Sequence, residues 1–255
     1  MTELKICIIT CEKCYARLPD ILKGVRDLAE HTKADVHMIL IDDLSDIDEL
    51  IFRKELWKQH ISSIEHILKF NLMSESRSKA SYEASNYCNL QIDQIGSFKP
   101  RKLRISEASL VKKHYEALKI AAMSSTPTLI LEDDALIVDP VKLAALCTNI
   151  TINGSYTDLC ADYKLRSRGR SIRLIDSLGN LHSLYFHKTA QTRTTCSYVL
   201  GPKVAKQIVQ SYWPCALPVD LHLQYLLLKH KVSGYWGTEI LIEHLSKSGI
   251  VESMI

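Results

Sequence analysis

Three carboxylates stand in a row at Glu132-Asp133-Asp134, directly behind the apolar run Thr128-Leu129-Ile130-Leu131. Adjacent anions repel one another unless a cation or a hydrogen-bond network offsets them. Mg2+ and Mn2+ take oxygen ligands, usually one or two carboxylates plus substrate phosphates. One reading is therefore a metal–diphosphate site; the other is an acidic turn in which Asp133 or Asp134 caps a helix. A further carboxylate, Asp220, follows Pro218-Val219 at the head of a Leu-rich helix, where the helix dipole favours its charge. Asp42-Asp43 closes an apolar run and offers either a ribose contact or a solvated loop. Cys11-x-x-Cys14 has the spacing of a redox or zinc half-site, but no second CxxC follows, so ordinary thiols are the expectation.

These groups need a scaffold. Thr128–Leu131 reads as a fully buried strand of a parallel sheet, and open α/β sheets bind ligands beyond the carboxyl ends of such strands. Leu4–Thr10 is a second buried strand, and Val36–Ile41 a third. A helix from Pro19-Asp20 to about Glu30 joins these two in β-α-β order. Residues 46–72 read as helical, and 74–100 as a polar, Ser-rich stretch, either a mobile loop or a small insertion. Ser106 caps a helix to Met123, with Ala108, Val111, Tyr115, Leu118 and Ala122 as its inner stripe and Lys112, Lys113 and Lys119 off it. Pro140 starts a helix to about Cys147. Beyond it, Tyr156–Ala161 is a strand, Ile172–Ile175 and Leu181–Phe186 form a hairpin, and Thr194–Leu200 is a strand ended by Gly201-Pro202. A helix runs from Pro202 to about Tyr212, a second starts at Asp220, and Val232–Trp236 and Glu239–Ile242 are late strands.

The 255 residues suffice for one large α/β domain, and 46% apolar content argues against wholesale disorder. A net charge of +3 does not call for nucleic acid. Lys164–Arg173 is basic, with Arg166, Arg168 and Arg170, but lacks the interleaved aromatics of a nucleic-acid surface, so a plain loop or an anion contact is expected there. No export signal and no bilayer-length apolar run are visible, and the eight cysteines then read as reduced thiols of a cytoplasmic protein.

Several motifs, in order, resemble glycosyltransferase family 25, the lipooligosaccharide and collagen galactosyltransferase-like group. "IITCEKCYAR" is similar to the family's first strand and loop, "SLVKKHYEAL" to its Ser-His helix, and "LILEDDA" to its acidic motif. "YTDLC", "TTCSYVLGPKVAKQIV" and "PVDLHL" resemble later elements, and "IEHLS" its closing segment. Leu110 and His114 stand where the family often carries His and Trp. The resemblance implies a single GT-A type domain over 1–255, with a nucleotide-sugar half (1–135) and an acceptor half (136–255). Its Rossmann-like, mostly parallel sheet would carry flanking helices and a small antiparallel β element.

It further implies transfer of a hexose from a UDP-sugar to a glycan or lipid-linked acceptor such as lipooligosaccharide, with inversion, in the cytoplasm or at the inner-membrane face. Asp134, with Glu132 or Asp133 assisting, and His244 would hold Mn2+ or Mg2+; for His244 a hydrogen-bonded surface histidine is the alternative. Thr10, Arg17, Asp42, Ser109, Lys113, Asp133 and Tyr198 would contact the donor, with Ser197 beside it. Asp220 would be the general base; a plain helix cap is the alternative. Two other functional classes remain: a nucleotidyltransferase, disfavoured by a glycine-free loop after the first strand, and a non-catalytic nucleotide or nucleic-acid binding module.

Overall fold

The computed structural model describes residues 3–40, 103–150, 155–161, 170–175, 179, 181–190, 192, 194–215 and 217–245. Asp42, the 46–72 helix, the 74–100 stretch and Arg166 and Arg168 lie outside them.

Strand β1 (Glu3–Thr10) leads through a short 3-10 turn (Glu12–Arg17) into helix α1 (Leu18–His31), then β2 (Lys33–Leu40). Helix α2 (Ile105–Met123) precedes β3 (Thr128–Glu132), β4 (Ala135–Ile137) and α3 (Pro140–Ile150). There follow β5 (Tyr156–Asp158), β6 (Arg170–Ile175), β7 (Leu181–His187), β8 (Ser197–Leu200) and α4 (Pro202–Val209). Helix α5 (Val219–Lys229), β9 (Gly234–Gly237) and β10 (Ile242–His244) complete the described chain.

One sheet of eight strands, in the order β2-β1-β3-β8-β5-β9-β7-β6, contains strands from both sides of residue 135. Strands β2, β1, β3, β5, β9 and β6 run one way, and β8 and β7 run the other. The central sheet is thus mostly parallel in direction and mixed in pairing. β3 is parallel to β1 on one side but antiparallel to β8 on the other, so its expected all-parallel surroundings are corrected. Its continuous apolar run reflects cover on both faces rather than the direction of its neighbours.

That cover follows from side-chain alternation. Leu4, Ile6 and Ile8 of β1 and Leu129 and Leu131 of β3 pack with Ile21, Val25 and Leu28 of α1 and with Leu143 and Leu146 of α3. Cys7, Ile9 and Ile130 point the other way, into a core with Val111 and Leu118 of α2, Val204 and Ile208 of α4, and Leu223 and Leu226 of α5. The result is three layers, helices on both faces of the sheet.

Two local expectations change. α2 is capped not by Ser106 but by Glu107, whose carboxylate accepts the Arg104 backbone N–H at 2.8 Å. Lys113, expected off the inner stripe, is 4% exposed. Packing covers α2 from more than one side, so a single stripe understates its buried face.

Candidate functional site

The alternation that builds the core also aims the acids. Ile130 faces the α2 layer, so Glu132, two residues on, faces it too. There the Nε2 of His114 lies 3.1 Å from the Glu132 Oε1, and its Nδ1 lies 2.9 Å from the Tyr198 hydroxyl. Tyr198 shares that face because it pairs with Ile130 across β3 and β8. All three residues are buried. Burial works to raise the Glu132 pKa, but the hydrogen bond and charge of His114, a hydrogen bond from Thr195 and the field of His244 outweigh it, leaving the acid below its ordinary value. An ionised carboxylate only accepts, so Nε2 carries the hydrogen. Burial, with Glu132 and Cys7 adding to it, drives the Tyr198 hydroxyl well above its ordinary value, so it stays protonated.

Asp133 points instead toward the turn after β1. Its Oδ1 lies 3.3 Å from the Arg17 guanidinium, and it accepts a hydrogen bond from the Cys14 thiol. Burial and the neighbouring charges of Asp134 and Glu132 raise its pKa, against the opposing effects of Cys14 and Arg17.

Asp134 meets the two-stranded ribbon of β4 and β10. Ala135 pairs with His244, and the Leu245 N–H donates to the Asp134 carbonyl at 2.9 Å. That register brings the His244 Nε2 to 3.3 Å from the Asp134 Oδ2. The Cys196 carbonyl accepts the Glu132 N–H at 2.8 Å, which holds Cys196 beside them. Ligand atoms of Asp134, Cys196 and His244 all lie within 4.8 Å of one another. This donor set fits a divalent cation. Asp134 offers oxygen and His244 nitrogen, a pairing that suits Mn2+ better than Mg2+. Cys196 is the third member of the group, its thiol held well above its ordinary value by burial first, then by a hydrogen bond and the charge of Cys160.

Asp220 sits in the first turn of α5, where its Oδ1 accepts the Leu221 N–H at 2.9 Å. Its side chain reaches solvent, yet protein crowds it enough that desolvation raises its pKa, with the charges of Glu132 and Glu107 pushing the same way.

Of the expected ligand set, Asp134 and His244 are brought together, whereas Glu132 is turned inward to His114. Arg17 and Asp133 meet each other. Tyr198 is buried behind Glu132, and Ser197 contacts the Cys160 thiol at 3.1 Å. Thr10 ends β1 and is buried, its hydroxyl 3.4 Å from the Cys11 carbonyl. Ser109 and Lys113 lie one turn apart on α2. The residue that sequence reasoning missed is His114. Its signal was spacing: Val111, His114 and Leu118 recur at three and four residues, which seats the imidazole on the same buried stripe.

No protein-family model matches the chain, and neither does any curated protein. Among solved structures, the crystal structure of apo-UDP-glucose pyrophosphorylase aligns over 92% of this chain and 90% of its own, at 10% identity and a TM-score of 0.39. At that distance the likeness carries no argument about reaction.

Proposed function

We propose that this chain is a cation-dependent glycosyltransferase that uses a nucleotide sugar, such as a UDP-hexose, and a glycan or lipid-linked hydroxyl acceptor. The observation that carries the reading is the meeting of Asp134 and His244 just beyond the end of β3, with Asp220 exposed in the first turn of α5 as the candidate base. Asp134 and His244 would hold the divalent cation, which would supply positive charge to the departing diphosphate. The chain's own groups do the rest. Asp220, as carboxylate, takes the proton of the acceptor hydroxyl. The freed oxygen bonds to the anomeric carbon as the bond from that carbon to the diphosphate breaks, and the nucleoside diphosphate leaves. Arg17 adds positive charge beside Asp133, and Glu132 stays ionised but fixed by His114, so it shapes the field without competing for the proton. Attack from the Asp220 side, opposite the leaving group, gives inversion.

Nucleotidyl transfer is the second reading, because an acidic strand end and a cation serve it equally. The turn after β1 counts against it. Residues 11–17 contain no glycine and fold into a tight 3-10 turn, rather than an open loop of backbone amides around phosphates. A panel of nucleotide sugars, each incubated with Mn2+ and either a glycan acceptor mixture or pyrophosphate, separates the two. Release of nucleoside diphosphate with a glycosylated product supports glycosyl transfer. Formation of nucleoside triphosphate from nucleotide sugar and pyrophosphate supports nucleotidyl transfer.

A further inference from the structure

A second group of metal-ligating atoms lies on the other side of the acidic turn, outside the chemistry described above. Cys11 caps the 3-10 turn and Cys14 lies within it, the Cys14 N–H donating to the Cys11 carbonyl at 2.9 Å. Their sulfurs are 2.8 Å apart, and both are free thiols. Asp133 reaches the pair from the turn after β3, and the ligand atoms of all three residues lie within 4.8 Å of one another.

We propose that Cys11, Cys14 and Asp133 form a thiophilic metal site for Zn2+, separate from the pair at Asp134 and His244. A CxxC pair gives two sulfurs from one turn, and Asp133 supplies an oxygen from a second element, which is three of the four positions of tetrahedral zinc. Cys11 and Asp133 are only partly buried, so the fourth position faces water. Zinc–sulfur bonds of about 2.3 Å in tetrahedral geometry set the sulfurs about 3.8 Å apart, so the thiols separate by about 1 Å on binding. Both thiol protons leave to solvent, and the thiolates bind. Soft sulfur selects zinc at this site, whereas the carboxylate and imidazole of the other suit Mn2+, so the two sites sort metals by ligand chemistry. The site also ties the turn carrying Arg17 to the acidic edge, because Asp133 is shared by Arg17 and the metal.

The test uses Co2+ as a spectroscopic stand-in for Zn2+, added to the full-length chain kept under a phosphine reductant. The expected result is one equivalent of tightly bound Co2+ with a thiolate-to-metal charge-transfer band, displaced by Zn2+. The band is lost in Cys11→Ser and in Cys14→Ser, and affinity falls at least about tenfold in Asp133→Asn. It persists in His244→Ala and in Cys196→Ala, which separates this site from the other. Circular dichroism of the metal-free variants checks that each is folded, and should any serine variant fail this check, alkylating the two thiols of the wild-type chain must abolish the band. The proposal is overturned by absence of the band in the wild type, by its survival without both turn thiols, or by its loss in Cys196→Ala or His244→Ala.

Discussion

His114 holds Glu132 in place as an anion. Removing it leaves a buried carboxylate without its main partner, a loss that typically costs about 3 kcal/mol or more. His114→Ala is therefore expected to lower the urea-unfolding free energy by about that amount, with His114→Gln, which keeps a donor, losing less. The pH dependence has a definite sign. Because the folded pKa of Glu132 lies below its ordinary 4.5, its contribution is present above that value and is lost as pH falls beneath it. The wild type should thus lose stability below pH 4.5 faster than His114→Ala does. Asp220 is shifted the other way, upward from 3.8. A base must be ionised, so the acidic limb of the kcat/KM profile is expected above that value. Asp220→Asn should reduce turnover by about 10²- to 10⁴-fold while nucleotide-sugar binding persists. At this scale the acids were legible from their types and order, but their orientations were not. Nothing in Glu132-Asp133-Asp134 says that the first turns to His114, the second to Arg17 and the third to His244. That division follows from strand alternation ending at residue 132 and a turn beginning at 133.

Elements place these groups through a few close approaches. Strand β9 runs beside β5 at Gly234, where an added Cβ would stand 2.6 Å from the Tyr156 carbonyl and 2.7 Å from the Ala190 Cβ. Gly234→Ala must push backbone apart and is expected to destabilise the fold by about 1–3 kcal/mol, read by thermal or urea unfolding. The longer elements were readable because periodicity accumulates over many residues: the Ile-rich β1, the Leu-rich α5 and the hairpin of β6 and β7. β4 and β10 were harder. Each is three residues long, too short for any period to emerge, and β10 pairs with β4 across a hundred residues of chain. The expected strand at Glu239–Ile242 falls just short of β10, which the structure places at Ile242–His244. That displacement matters, because β10 is the element that delivers His244.

For the whole molecule, the sheet order explains why distant motifs converge. β1, β3 and β5 point their carboxyl ends toward one pole, β8 begins there, and α2 and α5 start near it. Helix–sheet layering was legible from composition and alternation. The antiparallel insertion of β8 beside β3 was not, since strand direction leaves no mark on a strand covered on both faces. No helix among the described residues is long and apolar enough to cross a membrane.

The most direct measurement is the thermal unfolding of the chain with UDP-sugars, with and without Mn2+, repeated in Asp134→Ala and His244→Ala. A bound ligand at about a hundred times its Kd stabilises by about 2.7 kcal/mol, which raises the Tm of a chain this size by several degrees. The account predicts that rise only when nucleotide sugar and Mn2+ are both present, and its loss in Asp134→Ala and His244→Ala. An equal rise in those variants, or no Mn2+-dependent rise with any nucleotide sugar, contradicts it.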